Sequence, residues 1–220
     1  MTRHSIPALL AACLLAGPAA AQTVPETIEW TWTQQPEKAD PALPNVLLVG
    51  DSITRGYYPE VVARLAGKAN VYDFTTSAAS GDPRLPRQLR DFAAWRDVTF
   101  AVVHVNNGMH GWAYDEVQYG AGLPGLVDTL KALYPAATLI WASTTPVRAP
   151  KPDGANNDRI DARNRLAAQL MAARHIVIDD QHALMRDHDA LHSDDVHYTR
   201  DGSDLQGDQA AEMIGAVLRK

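Results

Sequence analysis

The sequence of 220 residues predicts an α/β protein in which a parallel sheet of five strands is covered by helices on both faces. Two observations carry this. Short continuous apolar runs, such as Val46–Val49 and Thr99–Val105, alternate with stretches of helical spacing, and an unbroken apolar run fits a strand buried on both sides. After each run comes a cluster of Gly, Ser, Asn or Pro, the residues that let a strand turn into a helix.

The elements follow in order. Residues 22–44 carry Trp30, Trp32, Pro25, Pro36 and Pro41 without a clean period, and read as an extended leader that lays its tryptophans on the domain formed by residues 45–220. Val46–Val49 is the first strand, ended by Gly50, and Pro59–Ala66 has helical spacing up to Gly67. Residues 70–74 form the second strand and 85–95 a helix. Thr99–Val105 is the third strand, 122–133 a helix and 137–142 the fourth strand. A helix over 159–173, a fifth strand over 175–179 and a closing helix over 205–218 complete the pattern. Ligands of such sheets bind at the carboxyl ends of the strands, which directs attention to the loops 50–56, 75–84, 106–118, 143–158 and 188–199.

Residues 1–21 have a different character. Arg3 and His4 precede an apolar run of about a dozen residues, followed by Ala19-Ala20-Ala21, the pattern of a cleaved signal peptide and too short for the roughly 20 residues of a membrane span. The expectation is an exported protein, periplasmic or secreted. Cys13, the only cysteine, lies within that segment, so a chain cleaved after Ala21 contains no thiol and no disulfide. Net charge is −6 and Lys/Arg runs are absent, which excludes the electrostatic footprint of a nucleic-acid binder. The charge favours a neutral substrate over a phosphate or an anionic lipid surface. Oligomeric state does not follow from the sequence.

The first loop opens Gly50-Asp51-Ser52-Ile53. A serine there projects from a strand end into solvent beside the first amides of a helix, where a hydroxyl can attack and an oxyanion can be held; a simple helix cap is the other reading. The last loop supplies a base. In Asp194-Asp195-Val196-His197 a carboxylate three residues before a histidine can orient its ring, with Asp195 as the competing candidate. Asn106 and Asn107 leave the third strand, and Gly81 follows the second, where a bare backbone amide can approach a ligand closely. His110, Trp112 and Tyr114 come next and are candidates to line a substrate pocket, equally to pack the loop. The crowding of His188, His192, Asp194, Asp195 and His197 allows a zinc site as an alternative, although no helical ligand pair accompanies it.

The set Gly50-Asp51-Ser52-Ile53, Gly81, Asn107 and Asp194-x-x-His197 resembles the SGNH (GDSL-type) hydrolase superfamily, from about Asn45 to the C-terminus. The resemblance implies a three-layer, flavodoxin-like α/β/α sandwich and ester hydrolysis through an acyl-serine, with no cofactor and no metal. It makes Ser52 the nucleophile, His197 the base and Asp194 its orienter, with an oxyanion hole from the Ser52 and Gly81 amides and the Asn107 side chain. The third block departs from the family pattern. It reads Val105-Asn106-Asn107-Gly108 where Gly-x-Asn-Asp is usual, so a shift of one residue selects Asn106. A small acyl group, acetyl above all, carried on a polysaccharide or other glycan is the expected substrate. Lipid esters and thioesters are the alternatives within the superfamily, and a non-catalytic glycan-binding module is the alternative outside it.

Overall fold

The computed structural model describes residues 23–219, and the expected signal peptide lies outside them. A sheet of order β1-β3-β2-β4-β5-β6 forms the middle layer. Its strands are β1 (Thr31–Gln34), β2 (Asn45–Gly50), β3 (Asn70–Thr76), β4 (Val102–Val105), β5 (Thr138–Ala142) and β6 (Val177–Asp179). The last five are mutually parallel and are the five strands expected. The sixth comes from the leader: β1 lies antiparallel on β3, pairing Thr31 with Thr76 and Gln34 with Asp73. Prolines on both sides and only four paired residues gave this strand no periodic signature in the sequence.

Helices α1 (Ser52–Arg64), α5 (Gln181–Met185) and α6 (Arg200–Leu218) cover one face, closing a core of Val46, Leu48, Val71, Val102 and Ile140. Helices α2 (Arg84–Arg96), α3 (Glu116–Leu133) and α4 (Asn157–Ala173) cover the other, over Leu47, Val49, Phe74, Val103 and Trp141. Consecutive strand residues thus supply opposite cores, which is why the strands read as unbroken apolar runs.

Three helices begin earlier than their apolar spacing predicts. α1 starts at Ser52 because the Asp51 side chain accepts the Ile53 N–H at 2.9 Å, and the first turns tolerate Gly56 and Pro59 because α1 packs on α6. α3 starts at Glu116 behind a capping box of Asp115 and Gln118, and α6 at Arg200, capped by Thr199. Gly50 has to be glycine: a Cβ there would stand 2.0 Å from Thr54 Oγ1, so no side chain fits where β2 hands over to α1. Chain order reverses between β2 and β4, whose neighbours run outward to β3 on one side and β5 on the other. The carboxyl ends of β2 and β4 therefore flank the switch-point crevice in which ligands of open α/β sheets sit.

Candidate active site

Ser52 is the first residue of α1, at the carboxyl end of β2. Its N–H has no intrahelical acceptor at that position, and the helix dipole adds partial positive charge there. The loop before α6 brings His197 to it. Ser52 Oγ lies 2.9 Å from His197 Nε2, and His197 Nδ1 lies 2.8 Å from Asp194 Oδ2. Asp194 Oδ1 accepts the backbone N–H groups of Val196 and His197, each at 2.7 Å. Partial burial acts to raise the Asp194 carboxyl, but those two N–H donors and the His197 ring outweigh it and hold the group well below the usual carboxylate range. Asp195 turns the other way, 3.3 Å from Arg148 and 3.8 Å from Lys151. Of the two neighbouring aspartates, only Asp194 faces the histidine.

The asparagines separate as well. Asn107 is buried with its side chain against the loop after β3: Oδ1 accepts the Ser80 N–H at 2.6 Å and Nδ2 donates to Ala78 O at 3.0 Å. Asn106 turns toward β5, where Nδ2 donates to Ala142 O at 2.8 Å and to Thr144 Oγ1 at 3.3 Å, so both of its N–H groups are engaged. The Ser80-Gly81 turn is held from behind by α3. A Cβ on Gly122 would lie 2.0 Å from Ser80 O, so that glycine lets the helix press directly on the turn.

A cavity of about 180 Å³ opens beside Ser52 and His197, with Met109, His110, Trp112 and Val196 in its wall. His110 and Trp112 therefore line it, as their place in the sequence suggests. Tyr114 does not: it is buried away from the opening, where its hydroxyl accepts the Val24 N–H at 2.7 Å. The candidate zinc ligands do not converge either. His192 is buried on Pro146 O and stacked on Tyr198, Asp195 faces cations, and among the described residues no group of three His, Cys, Asp or Glu side chains is placed to hold a metal.

Two contributors gave no sign in the sequence. Glu26, from the leader, lines the cavity, where Oε2 lies 2.8 Å from His110 Nδ1 and Oε1 accepts the Gly111 N–H at 2.7 Å. Burial pushes the Glu26 carboxyl upward, yet the His110 ring and the Gly111 N–H bring it below its ordinary value. Arg163, fully buried in α4, donates to the carbonyls of Gly108, His110, Gly111 and Tyr114 and stacks 4.0 Å over the Trp112 ring. Burial draws its guanidinium down to about 10, which leaves it charged at neutral pH. It is the clamp that shapes the 108–114 loop.

A doubly wound sheet with a serine, a histidine and a carboxylate in line at its switch point defines a hydrolase of the SGNH class. The sequence profile of the GDSL-like lipase/acylhydrolase family matches residues 48–205, and the chain belongs to that family, whose members are carboxylic ester hydrolases. No curated protein matches the sequence significantly. Solved structures agree on the fold. A carbohydrate esterase of family 3 from Talaromyces cellulolyticus superposes with a TM-score of 0.63 at 15% identity, over 80% of this chain and 99% of that one. An acetylxylan esterase from Geobacillus stearothermophilus gives 0.61 at 19%, over 78% and 94%. A lipolytic protein of the G-D-S-L family from Veillonella parvula gives 0.61 at 17%, over 78% and 98%.

Proposed function

We propose that this protein is a serine esterase that removes small acyl groups, acetyl above all, from glycans. The observation that carries the reading is the line Ser52 Oγ, His197 Nε2, His197 Nδ1, Asp194 Oδ2, with contacts of 2.9 and 2.8 Å. In that arrangement His197 takes the Ser52 proton as Oγ attacks the ester carbonyl, and Asp194, held ionised, fixes the ring tautomer and stabilises the imidazolium. The developing oxyanion is met by the Ser52 and Gly81 amides and by the second N–H of Asn107, the one not spent on Ala78 O. Asn106, with both N–H groups engaged, has none to offer. His197 then returns the proton to the departing alkoxide, and a water activated by the same histidine releases the acid.

A cavity of about 180 Å³ beside the nucleophile has room for an acetyl group together with part of its alcohol half. The carbohydrate esterase and acetylxylan esterase among the structural neighbours are in keeping with a glycan as the alcohol half. The test is an ester series from acetyl to decanoyl, run beside acetate release from acetylated xylan, with wild type and Ser52→Ala. Turnover that peaks at acetyl and vanishes in the variant is expected. A maximum at decanoyl overturns the acetyl reading in favour of a lipase, and faster cleavage of thioesters overturns it in favour of a thioesterase. Export belongs to the same proposal: the protein recovered outside the cytoplasm should begin at Gln22.

A further inference from the structure

A second groove, of about 490 Å³, adjoins the first and shares Glu26, His110, Trp112 and Asp153 with it. Its far wall is the leader, with Ile28 74% exposed and Trp30 at the edge of the sheet. The groove is built rather than incidental. Trp30 meets the His110 ring edge to face at 5.8 Å, Arg55 of α1 stacks on Trp30 at 5.1 Å, and Glu26 ties the leader to the 108–114 loop through His110 and Gly111. The Trp30 backbone is fixed in turn, its N–H donating to Ser77 Oγ at 3.0 Å. A partly exposed indole such as that of Trp30, beside carboxylate acceptors, is a surface that takes the apolar face and the hydroxyls of a sugar ring. The two carboxylates disfavour an anionic glycan.

We propose that Glu26, Ile28 and Trp30 of the leader form, with His110, Trp112 and Asp153, a subsite for a neutral saccharide, which holds the sugar whose ester is presented to Ser52. This rests on the reading of Ser52 as the nucleophile of an esterase. The leader is then a specificity element, and the 48–205 segment that defines the family does not contain it.

The probes are acetylated xylotetraose, which fills the groove, and p-nitrophenyl acetate, which is too small to reach it. The ratio of kcat/KM for the first over the second should fall at least tenfold in Trp30→Ala and about threefold in Glu26→Gln. It should keep its wild-type value in Val117→Ser, a change at an exposed residue outside both grooves. Calorimetric binding of unacetylated xylotetraose to Ser52→Ala should weaken at least tenfold when Trp30→Ala is added. Thermal unfolding of each variant establishes that it is folded, and if Trp30→Ala does not fold, Ile28→Asp takes its place. A ratio unchanged within twofold, or an equal loss on both esters in a folded variant, overturns the subsite. If wild type cleaves neither ester, the esterase reading fails, and binding alone decides: xylotetraose bound by wild type and lost in Trp30→Ala keeps the subsite, while no binding overturns it.

Discussion

Two of the histidine–aspartate pairs in this molecule are equal in length and opposite in setting. His197 with Asp194 and His104 with Asp179 both meet at 2.8 Å. The side chains of the first pair are 46% and 57% exposed, and those of the second are sealed at 0%. His104 rises from β4 against the Tyr57 ring, edge to face at 6.1 Å, and reaches across β5 to Asp179 on β6. Gln181 and Gln209 complete the Asp179 carboxylate. Burial would raise that carboxyl, but the three donors bring it below the ordinary range. The difference lies in the other ring nitrogen. His197 presents Nε2 to the Ser52 hydroxyl, whereas His104 has used Nε2 on Asp179 and its Nδ1 meets no partner among the described residues. Chemical competence therefore belongs to what the second nitrogen faces and not to the pair, and the buried pair serves as a tie between strands that do not touch.

The comparison breaks most sharply at Ser52, the proposed nucleophile. Ser52→Ala should lower kcat by about 10⁴–10⁶ with little change in melting temperature, and Asp194→Asn by about 10⁴, because the amide stabilises the wrong ring tautomer. The matching change in the buried pair, Asp179→Ala, should leave kcat of the folded enzyme nearly intact and cost about 3–5 kcal/mol in urea unfolding, as expected when one partner of a buried pair is removed. A hundredfold loss of kcat in Asp179→Ala at unchanged stability would erase the distinction. Asn107→Ala should lower kcat by about 10²–10³. Asn106→Ala, aimed at β5, should be read in stability rather than in rate, and the reverse outcome would move the oxyanion donor by one residue. The smallest effect is in pH. The Asp194 carboxyl, held well below the usual carboxylate range, stays ionised through the weakly acidic range, so it adds no second proton to the loss of activity toward acid. The acidic limb of log kcat/KM against pH should then have a slope of about 1. A slope of 2 would mean that Asp194 protonates in the same range.

Much of the site was legible because its parts are local. Asp194-x-x-His197 closes its hydrogen bond within a single turn, and Asp51-Ser52 marks a helix start whose cap is two residues away. The parallel strands were legible because β2, β3, β4 and β5 each send apolar residues into both cores, and β6 at the edge is marked by the short run Ile176–Ile178. What escaped was non-local. Glu26 finds His110 over a separation of 84 residues, Arg163 reaches the Gly108 carbonyl across 55, and β1 pairs with β3 over separations from 39 residues, Gln34 with Asp73, to 45, Thr31 with Thr76. Tyr114 departs from the expected pocket position for the same reason, since His110 and Trp112 line the cavity while its own hydroxyl accepts the Val24 N–H. The choice between Asn106 and Asn107 required strand register, because adjacent residues leaving β4 face different loops.

The antiparallel strand contributed by the leader has one more effect. Without it β3 would be an outer strand, with a row of backbone N–H and C=O groups open to pairing with another molecule. β1 takes that place with four residues, and the opposite edge, β6, has three. Both borders of the sheet are thus too short to template a neighbour. A chain trimmed back to Asn45 should therefore self-associate as well as lose its groove, and its solubility would fall together with its selectivity.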